Sequence, residues 1–259
     1  MTVTTNPTSR GPTISVITVA LEAEKTIGRT IDSVERQVSR PDEYIIVDGG
    51  SKDATVSIAR GHGSTVSNLV TGRDEGIFDA MNRGLGLARG DVVGFLNAND
   101  IYADDYSIAR VREVLSDPQI EACYGDLDFV NRNGRVVRRW RSKEYTRQLL
   151  DAGWVPAHPT FYCRRSVLLE VGGFRKHYEV AGDYELFIRL FAIRGLATRH
   201  IPEVQVRMEA GGASNGSIRK IFLGAREVSL AWRDNRLVPP PLVGLRKVLP
   251  KFGQLWHRK

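Results

Sequence analysis

The sequence predicts an α/β protein with a doubly wound, mostly parallel sheet flanked by helices and a mixed second half. In residues 14–100, short apolar runs alternate with segments of helical spacing, which is typical of parallel strands joined by helices. Beyond residue 100 the alternation stops, and Asn133-Gly134 indicates a hairpin turn. The length of 259 residues, with 42% hydrophobic and 26% charged residues, suits one globular domain.

The first half is predicted to contain four strands and three helices. Apolar runs predict strands at 14–20, 43–48 and 92–96, and a weaker run predicts one at 66–70. Ser51 is expected to cap a helix that ends near residue 60, and Gly90 to end the third helix. The inward faces of the first and third helices are predicted from helical spacing: Ile27, Ile31, Val34 and Val38 in one, and Ile77, Met81, Leu85 and Ala88 in the other.

The second half is predicted to be less regular. Helices are expected near 103–115, 183–194 and 218–232, with Leu186, Leu190 and Ile193 facing inward in the middle one. Strands are expected at 120–124 and 198–206. Residues 1–13 are predicted to be a flexible N-terminus, 14–237 the domain, with a nucleotide-binding half at about 14–100 and an acceptor half at about 101–237, and 238–259 a basic tail.

Charge and composition limit the classes of partner. The net charge is +7, and the excess is concentrated near the C-terminus, but no module that reads DNA or RNA accompanies it, so no nucleic-acid partner is expected. Apolar residues interleave with that charge, which suits peripheral contact with an anionic membrane. No apolar run has the length of a membrane span, and two widely separated cysteines suit a reducing compartment, so we expect a cytoplasmic protein.

Acidic and amide side chains follow two of the predicted strands. Asp48 ends one strand, and Asn97, Asn99 and Asp100 follow another. In a parallel sheet these ends meet at one edge, where ligands bind. Asp48 suits a contact to a base or ribose and equally suits a turn before Gly49. Asp100 with amide oxygens suits a divalent cation, although the stretch alone also suits a polar turn.

Asp183 begins the run "DYELFIRL", which predicts a helix. An aspartate in this position is commonly the N-cap of the helix. The same position keeps the carboxylate ionised, since a helix N-terminus favours negative charge, and an ionised carboxylate is able to act as a general base.

Five segments in order resemble glycosyltransferase family 2, which has the nucleotide-diphosphosugar-binding GT-A fold. They are "ISVITV", "IIVDGGSKDAT", "DEGIFDAMNRGLGLARGDVVGFLNAND", "HPTFYCRRSVLLEVGGF" and "AGDYELFIRL". The resemblance covers roughly residues 14–214 and is greatest to bacterial enzymes of exopolysaccharide and glycolipid assembly. It implies a donor nucleotide-diphosphosugar, Mn²⁺ or Mg²⁺, and a glycan or lipid-linked acceptor.

The resemblance also implies roles for individual residues. Asp48 contacts the nucleobase, the motif from Asn97 to Asp100 binds the diphosphate through the metal, and Asp183 is the catalytic base of an inverting displacement. Two departures from the family pattern stand out. Asn99 replaces a second acid, which predicts a metal site that is weaker or more dependent on the donor phosphates. "VALE" at 19–22 replaces the usual loop beside the base.

Weaker candidates complete the predicted site. By resemblance Asp74, Gly76, Asp79 and Asn82 line the donor pocket, although Asp79 and Asn82 also suit a solvated helix face. Trp154 suits either a sugar-stacking platform or the core, and His158 either an acceptor contact or a loop anchor. The glycine-rich segment with Gly211, Gly212 and Ser214 suits a lid or a simple linker.

The expected function is therefore transfer of a sugar from a UDP- or dTDP-sugar to a hydroxyl of a lipid-linked or cell-envelope acceptor. The alternative is a catalytically weak or inactive nucleotide-sugar-binding scaffold in an envelope assembly complex. Asn99 and the "VALE" loop motivate the alternative, whereas Asp100 and Asp183 argue against it.

Overall fold

A computed structural model describes residues 11–210, 218–244 and 246, and its strands form one sheet. Four parallel strands in the order β3-β2-β1-β4 make up the first half. They are β1 (Ile14–Ala20), β2 (Glu43–Asp48), β3 (Asn68–Thr71) and β4 (Val92–Phe95). The helices between them are α1 (Ile27–Glu35), α2 (Thr55–Gly61) and α3 (Ile77–Leu87). The predicted alternation of strands and helices is confirmed.

The sheet continues through the second half in the order β8-β6-β9-β5, with β7 paired to β6, and its directions are mixed. The strands are β5 (Asp100–Tyr102), β6 (Ala122–Val130), β7 (Val136–Trp140), β8 (Tyr162–Arg164) and β9 (Thr198–Glu209). The helices are α4 (Ser107–Val114), α5 (Arg147–Asp151), α6 (Arg165–Glu170), α7 (Gly182–Phe187) and α8 (Ile218–Asp234). The hairpin at Asn133-Gly134 is confirmed, since β6 and β7 pair antiparallel across it.

Five residues do not have the positions or roles predicted for them. Helix α3 ends at Leu87, with Ala88 in an extended conformation, so Gly90 does not end this helix. Val38 lies beyond the end of α1 and is exposed, because the helix stops at Glu35. Ile77 is the first residue of α3 and is exposed. Ile193 is exposed because α7 continues as a π-helical segment, Ile188–Arg194, whose wider turn breaks the predicted spacing. Ser51 does not cap α2; its hydroxyl donates to Asp48 instead.

The core occupies both faces of the sheet. One cluster packs α3, α7 and α8 against one face and includes Ile17, Phe95, Phe187 and Trp232. The other packs α1 and α4 against the opposite face and includes Ile14, Ile31 and Val111. Among the described residues, no helix has both the length and the apolar character needed to cross a membrane. Strands β2 and β4 lie on either side of β1 and run parallel to it. Their carboxyl ends, where the site is predicted, therefore lie at the same edge of the sheet.

Candidate functional site

Asp48 ends β2 with a buried carboxylate that orders the following turn. Its Oδ2 accepts hydrogen bonds from the backbone N–H groups of Gly50 and Ser51, both at 3.0 Å. The Ser51 hydroxyl donates to Oδ1 at 2.5 Å. These contacts agree with the prediction that Asp48 orders the turn before Gly49. They also fix the carboxylate at the edge where a nucleobase contact is predicted, with a lone-pair site remaining.

The loop after β1 is tied to the loop after β2. The backbone N–H of Glu22 donates to Ser51 Oγ at 2.8 Å, and the Glu22 carboxylate accepts from the N–H of Lys52 at 2.9 Å. The next residues, Ala23 and Glu24, donate to Thr55 and Asp53. Glu22 has a φ of 50°, in the left-handed region that disfavours most side chains. Glu22 therefore has a structural role in joining the two loops.

The segment before α3 lies against the Asp48 turn. A Cβ added at Gly49 would lie 2.5 Å from Asp74 Oδ2, so the two loops approach closely. Asp74 Oδ1 accepts from the N–H of Gly76 at 3.0 Å, and Gly76 has a φ of 119° that favours glycine. The predicted donor residues Asp48, Asp74 and Gly76 are therefore neighbours in the fold.

Asp79 and Asn82 on α3 already have protein partners. Asp79 accepts from the N–H of Glu75 at 3.1 Å and lies 3.3 Å from the Lys176 ammonium, and these contacts lower the pKa of Asp79. The Asn82 amide exchanges two hydrogen bonds of 2.8 Å with the backbone of Phe174. Both side chains join α3 to the 174–176 loop, so neither is a solvated surface group.

Asp100 lies in β5, next to Met208 of β9, and its side chain is fully buried. Neither carboxylate oxygen has a hydrogen-bond partner among the described residues, and the same is true of Asn97 Oδ1. Burial raises the pKa of Asp100 to about 8. A buried carboxylate without a partner is costly unless a cation or proton neutralises it. Asn99, which lies between these two residues in the sequence, is partly buried.

A cavity of about 450 Å³ lies beside this edge, and Asn97, Trp154, His158 and Asp183 all line it. Its remaining described walls are mainly aromatic and aliphatic, among them Phe78, Met81, Val155 and Ile221. The predicted acceptor residues and the predicted base therefore share one cavity. Asn99 is not among the residues that line it within the described ranges.

Asp183 lies in the first turn of α7, whose N-cap is Ala181, so the N-cap interpretation of Asp183 is wrong. Its Oδ1 accepts from the N–H of Tyr184 at 2.7 Å. A Cβ added at the preceding Gly182 would lie 2.6 Å from the Phe78 ring. Close packing of α3 against α7 at this glycine therefore fixes where the carboxylate enters the cavity.

His158 has a buried Nε2 without a partner among the described residues. Its ring stacks on Phe95 at 5.7 Å and meets Phe174 edge-on at 5.8 Å. Burial lowers the pKa of His158, and the charge of Asp183 acts in the opposite direction. His158 is therefore a neutral imidazole that the aromatic rings hold in place. Trp154 is partly buried, and its ring meets Tyr124 edge-on at 6.0 Å while it lines the cavity.

Glu227 on α8 is a site residue that the sequence analysis missed. Its carboxylate accepts from the backbone N–H groups of Glu179, Val180 and Ala181, at 2.9, 2.9 and 2.7 Å. The loop so held leads directly into α7 and Asp183. No sequence signal identifies this contact, because a glutamate on an amphipathic helix is more often solvated. The lid candidates Gly211, Gly212 and Ser214 lie outside the described residues, as does most of the basic tail.

The oxygen atoms at this edge suit a divalent cation. Mn²⁺ and Mg²⁺ prefer carboxylate and carbonyl oxygens, and Mg²⁺ commonly takes one or two carboxylates together with substrate phosphates. Asp100 and Asn97 offer such atoms, and none of them has another partner among the described residues. The unpaired buried carboxylate is the observation that carries this fit.

Comparison with known proteins identifies the family of the chain. Residues 15–174 match the family described as Glycosyl transferase family 2. The chain is also similar to a "PGL/p-HBAD biosynthesis glycosyltransferase" of Mycobacterium bovis. The two are 31% identical over 217 residues, which is 82% of this chain and 83% of the relative.

Two solved structures share the fold, with sequence identities too low to show more than that. One is the mannosyltransferase PcManGT from Pyrobaculum calidifontis in complex with GDP-Man and Mn²⁺, with a TM-score of 0.65, 20% identity, and coverage of 96% of this chain and 71% of that one. The other is glucosyl-3-phosphoglycerate synthase from Mycobacterium tuberculosis with Mn²⁺, UDP and phosphoglyceric acid, with a TM-score of 0.63, 23% identity, and coverage of 89% and 81%. The GT-A fold and the family match agree, and the chain belongs to glycosyl transferase family 2.

Proposed function

We propose that this glycosyltransferase transfers a sugar, with inversion, from a nucleotide-diphosphosugar to a hydroxyl of a lipid-linked or cell-envelope acceptor. The unpaired Asp100 carboxylate beside the cavity that contains Asp183 is the observation that carries the proposal. UDP- and dTDP-sugars are the donors to test first. A glycolipid acceptor is supported by the name of the mycobacterial relative. The mycobacterial relative is itself named a glycosyltransferase, which does not favour the scaffold alternative.

In this proposal the donor spans the edge of the sheet. Asp48, with Asp74 and Gly76 beside it, holds the nucleobase end. Asp100 with Asn97 and Asn99 would hold Mn²⁺ or Mg²⁺ at the diphosphate end. The bound cation would neutralise the charge that develops on the leaving diphosphate. The acceptor enters the cavity past Trp154 and His158, at the cytoplasmic face of the membrane.

Asp183 acts as the general base. Its carboxylate takes the proton from the acceptor hydroxyl as that oxygen forms a bond to the anomeric carbon. The bond from the anomeric carbon to the diphosphate breaks on the opposite side, which inverts the configuration. His158 stays neutral in its aromatic surroundings and is therefore able to hydrogen-bond the acceptor without adding a charge near Asp183.

The decisive experiment compares wild type, Asp100→Ala and Asp183→Asn. Calorimetry with UDP- and dTDP-sugars in Mn²⁺, Mg²⁺ or EDTA measures donor binding, and release of nucleoside diphosphate with a membrane-lipid extract measures transfer. We expect Asp100→Ala to lose metal-dependent donor binding. We expect Asp183→Asn to keep it and to lose transfer by about a hundredfold or more, the usual contribution of a general base.

Asp105→Ala is the matched control, since it removes an exposed carboxylate that makes only a 3.8 Å contact with Arg36. It should bind donor and transfer sugar as wild type does. Metal-dependent binding by Asp100→Ala would contradict the metal assignment. Normal turnover by Asp183→Asn would remove Asp183 from the role of base.

A further inference from the structure

One wall of the cavity belongs to a row of residues in register across four strands, of which Met208, Phe129 and Arg138 line the cavity and Asp100 does not. Asp100 of β5 lies opposite Met208 of β9, Met208 opposite Phe129 of β6, and Phe129 opposite Arg138 of β7. Residues opposite each other in a sheet project to the same face, and neighbouring strands lie about 4.8 Å apart. The row therefore places the Arg138 backbone about 14 Å from that of Asp100 on the same face.

The row is apolar between Asp100 and Arg138. Met208 and Phe129 line the cavity, and so do Leu127 and Trp140, the adjacent pair on β6 and β7. The rings of Phe129 and Trp140 stack at 6.5 Å. This wall offers aromatic and thioether surface on which the apolar part of a ligand would pack.

Arg138 closes the far end of the row. Its guanidinium carbon lies 4.4 Å from the centre of the Phe129 ring and 5.4 Å from that of Trp140. The side chain is partly buried, and burial lowers the pKa of Arg138. Within the described part of the chain it has neither a carboxylate partner nor a hydrogen-bond acceptor, whereas Arg141 of the same hairpin binds Asp128 at 2.9 Å. The guanidinium, which carries five donors, therefore lies at the wall of the cavity without a protein acceptor among the described residues.

We infer that this wall binds the aglycone of the acceptor and that the acceptor is an amphiphile with an aromatic or acyl body and an acidic group. The body packs on Met208, Phe129 and Trp140, and the carboxylate or phosphate binds the Arg138 guanidinium. The inference rests on the proposed function, since it takes Asp183 to mark the hydroxyl end of the acceptor. It adds the chemical class of the acceptor and a specificity-determining residue.

The test uses a two-ring hydroxy acid, 6-hydroxy-2-naphthoate, and its methyl ester. They match in shape and hydroxyl group and differ in charge. Each is titrated by its fluorescence into the full chain in EDTA without donor, so that metal and donor binding play no part. The variants are Arg138→Gln and, as the matched control, Arg139→Gln, which removes the neighbouring exposed arginine on the opposite face of β7.

We expect wild type and Arg139→Gln to bind the acid more tightly than the ester. Arg138→Gln should weaken binding of the acid about tenfold, which is the effect of losing one charge-assisted hydrogen bond. The affinity for the ester should change by less than about twofold. Arg138→Lys keeps the positive charge but lacks the planar guanidinium. Its affinity for the acid should lie between those of wild type and Arg138→Gln. Equal circular dichroism spectra and melting temperatures establish that each variant is folded.

Three results would overturn the inference. They are absence of saturable binding of the acid to wild type, equal affinity of wild type for acid and ester, and equal weakening by Arg138→Gln and Arg139→Gln. Weaker binding of UDP with Mn²⁺ in Arg138→Gln, with unchanged binding of the acid, would assign Arg138 to the donor instead. Failure of the proposed function would give a different result. Wild type would then bind no nucleotide-sugar in the presence of metal, but it would still bind the naphthoate more tightly than its ester.

Discussion

Asp100 is a carboxylate that the fold buries without a partner among the described residues. An aspartate in an unfolded chain has a pKa of about 3.9. Burial raises the pKa of Asp100 to about 8, so the folded chain without metal keeps the proton that the unfolded chain releases. Cation binding must displace that proton, and metal affinity should therefore rise with pH up to about 8.

This titration predicts how stability depends on pH. A folded pKa above the unfolded one gives a stabilising contribution that is complete below pH 4 and is lost as pH rises through about 8. In EDTA, the melting temperature of wild type should therefore fall relative to that of Asp100→Asn between pH 5 and pH 8.5. Thermal melts across this range measure the difference. Parallel curves for the two proteins would show that Asp100 is not held protonated.

At the scale of secondary structure, α8 positions α7 through Glu227. The carboxylate of Glu227 receives three N–H groups from the loop that ends one residue before α7. Trp232, which follows Glu227 on α8, donates to the Tyr184 hydroxyl at 3.0 Å. A helix distant in sequence thus fixes the entry of the element that carries Asp183.

Glu227→Gln should disturb this loop while the donor edge stays intact. The amide has the same shape, but its NH₂ group would face a buried backbone N–H, which costs about 1–3 kcal/mol in stability. We expect transfer to fall several-fold or more with unchanged donor affinity, measured by nucleoside diphosphate release and calorimetry. Arg226→Ala, an exposed neighbour on α8, serves as the control. Loss of donor affinity in Glu227→Gln would contradict this division of roles.

At the scale of the whole molecule, the two halves share one sheet and one core. Strands β4 and β8 pair directly, and the larger core cluster contains residues from β1 and α3 as well as from α7 and α8. The chain should therefore unfold in one cooperative transition. The four tryptophans lie at positions 140, 154, 232 and 256, all in the second half or the tail, whereas helical circular dichroism reports both halves. Coincident urea transitions by the two signals are expected, and separate midpoints would show that the halves unfold independently.

The elements of the first half are predicted well from the sequence, because each one is indicated by residues that are adjacent in the chain. Continuous apolar runs identify β1, β2 and β4, and the Asn133-Gly134 turn identifies the β6–β7 hairpin. The three-residue strands β5 and β8 escape prediction because their existence depends on pairing with distant strands. Glu227 and Arg138 escape it for the same reason. Their significance depends on what lies opposite them in the fold and not on their neighbours in sequence.

The hydrogen bonds between the loop after β1 and the loop after β2 restrict which sequence changes the two loops tolerate. Glu22, where the sequence departs from the family pattern, both donates to Ser51 and accepts from Lys52, and Glu24 does the same with Asp53 and Ala54. The two loops therefore form one hydrogen-bonded unit, and a change in one requires a matching change in the other. Replacing one loop by that of a relative would leave donors and acceptors of the other loop without partners, whereas replacing both together would keep these hydrogen bonds beside the proposed nucleobase site.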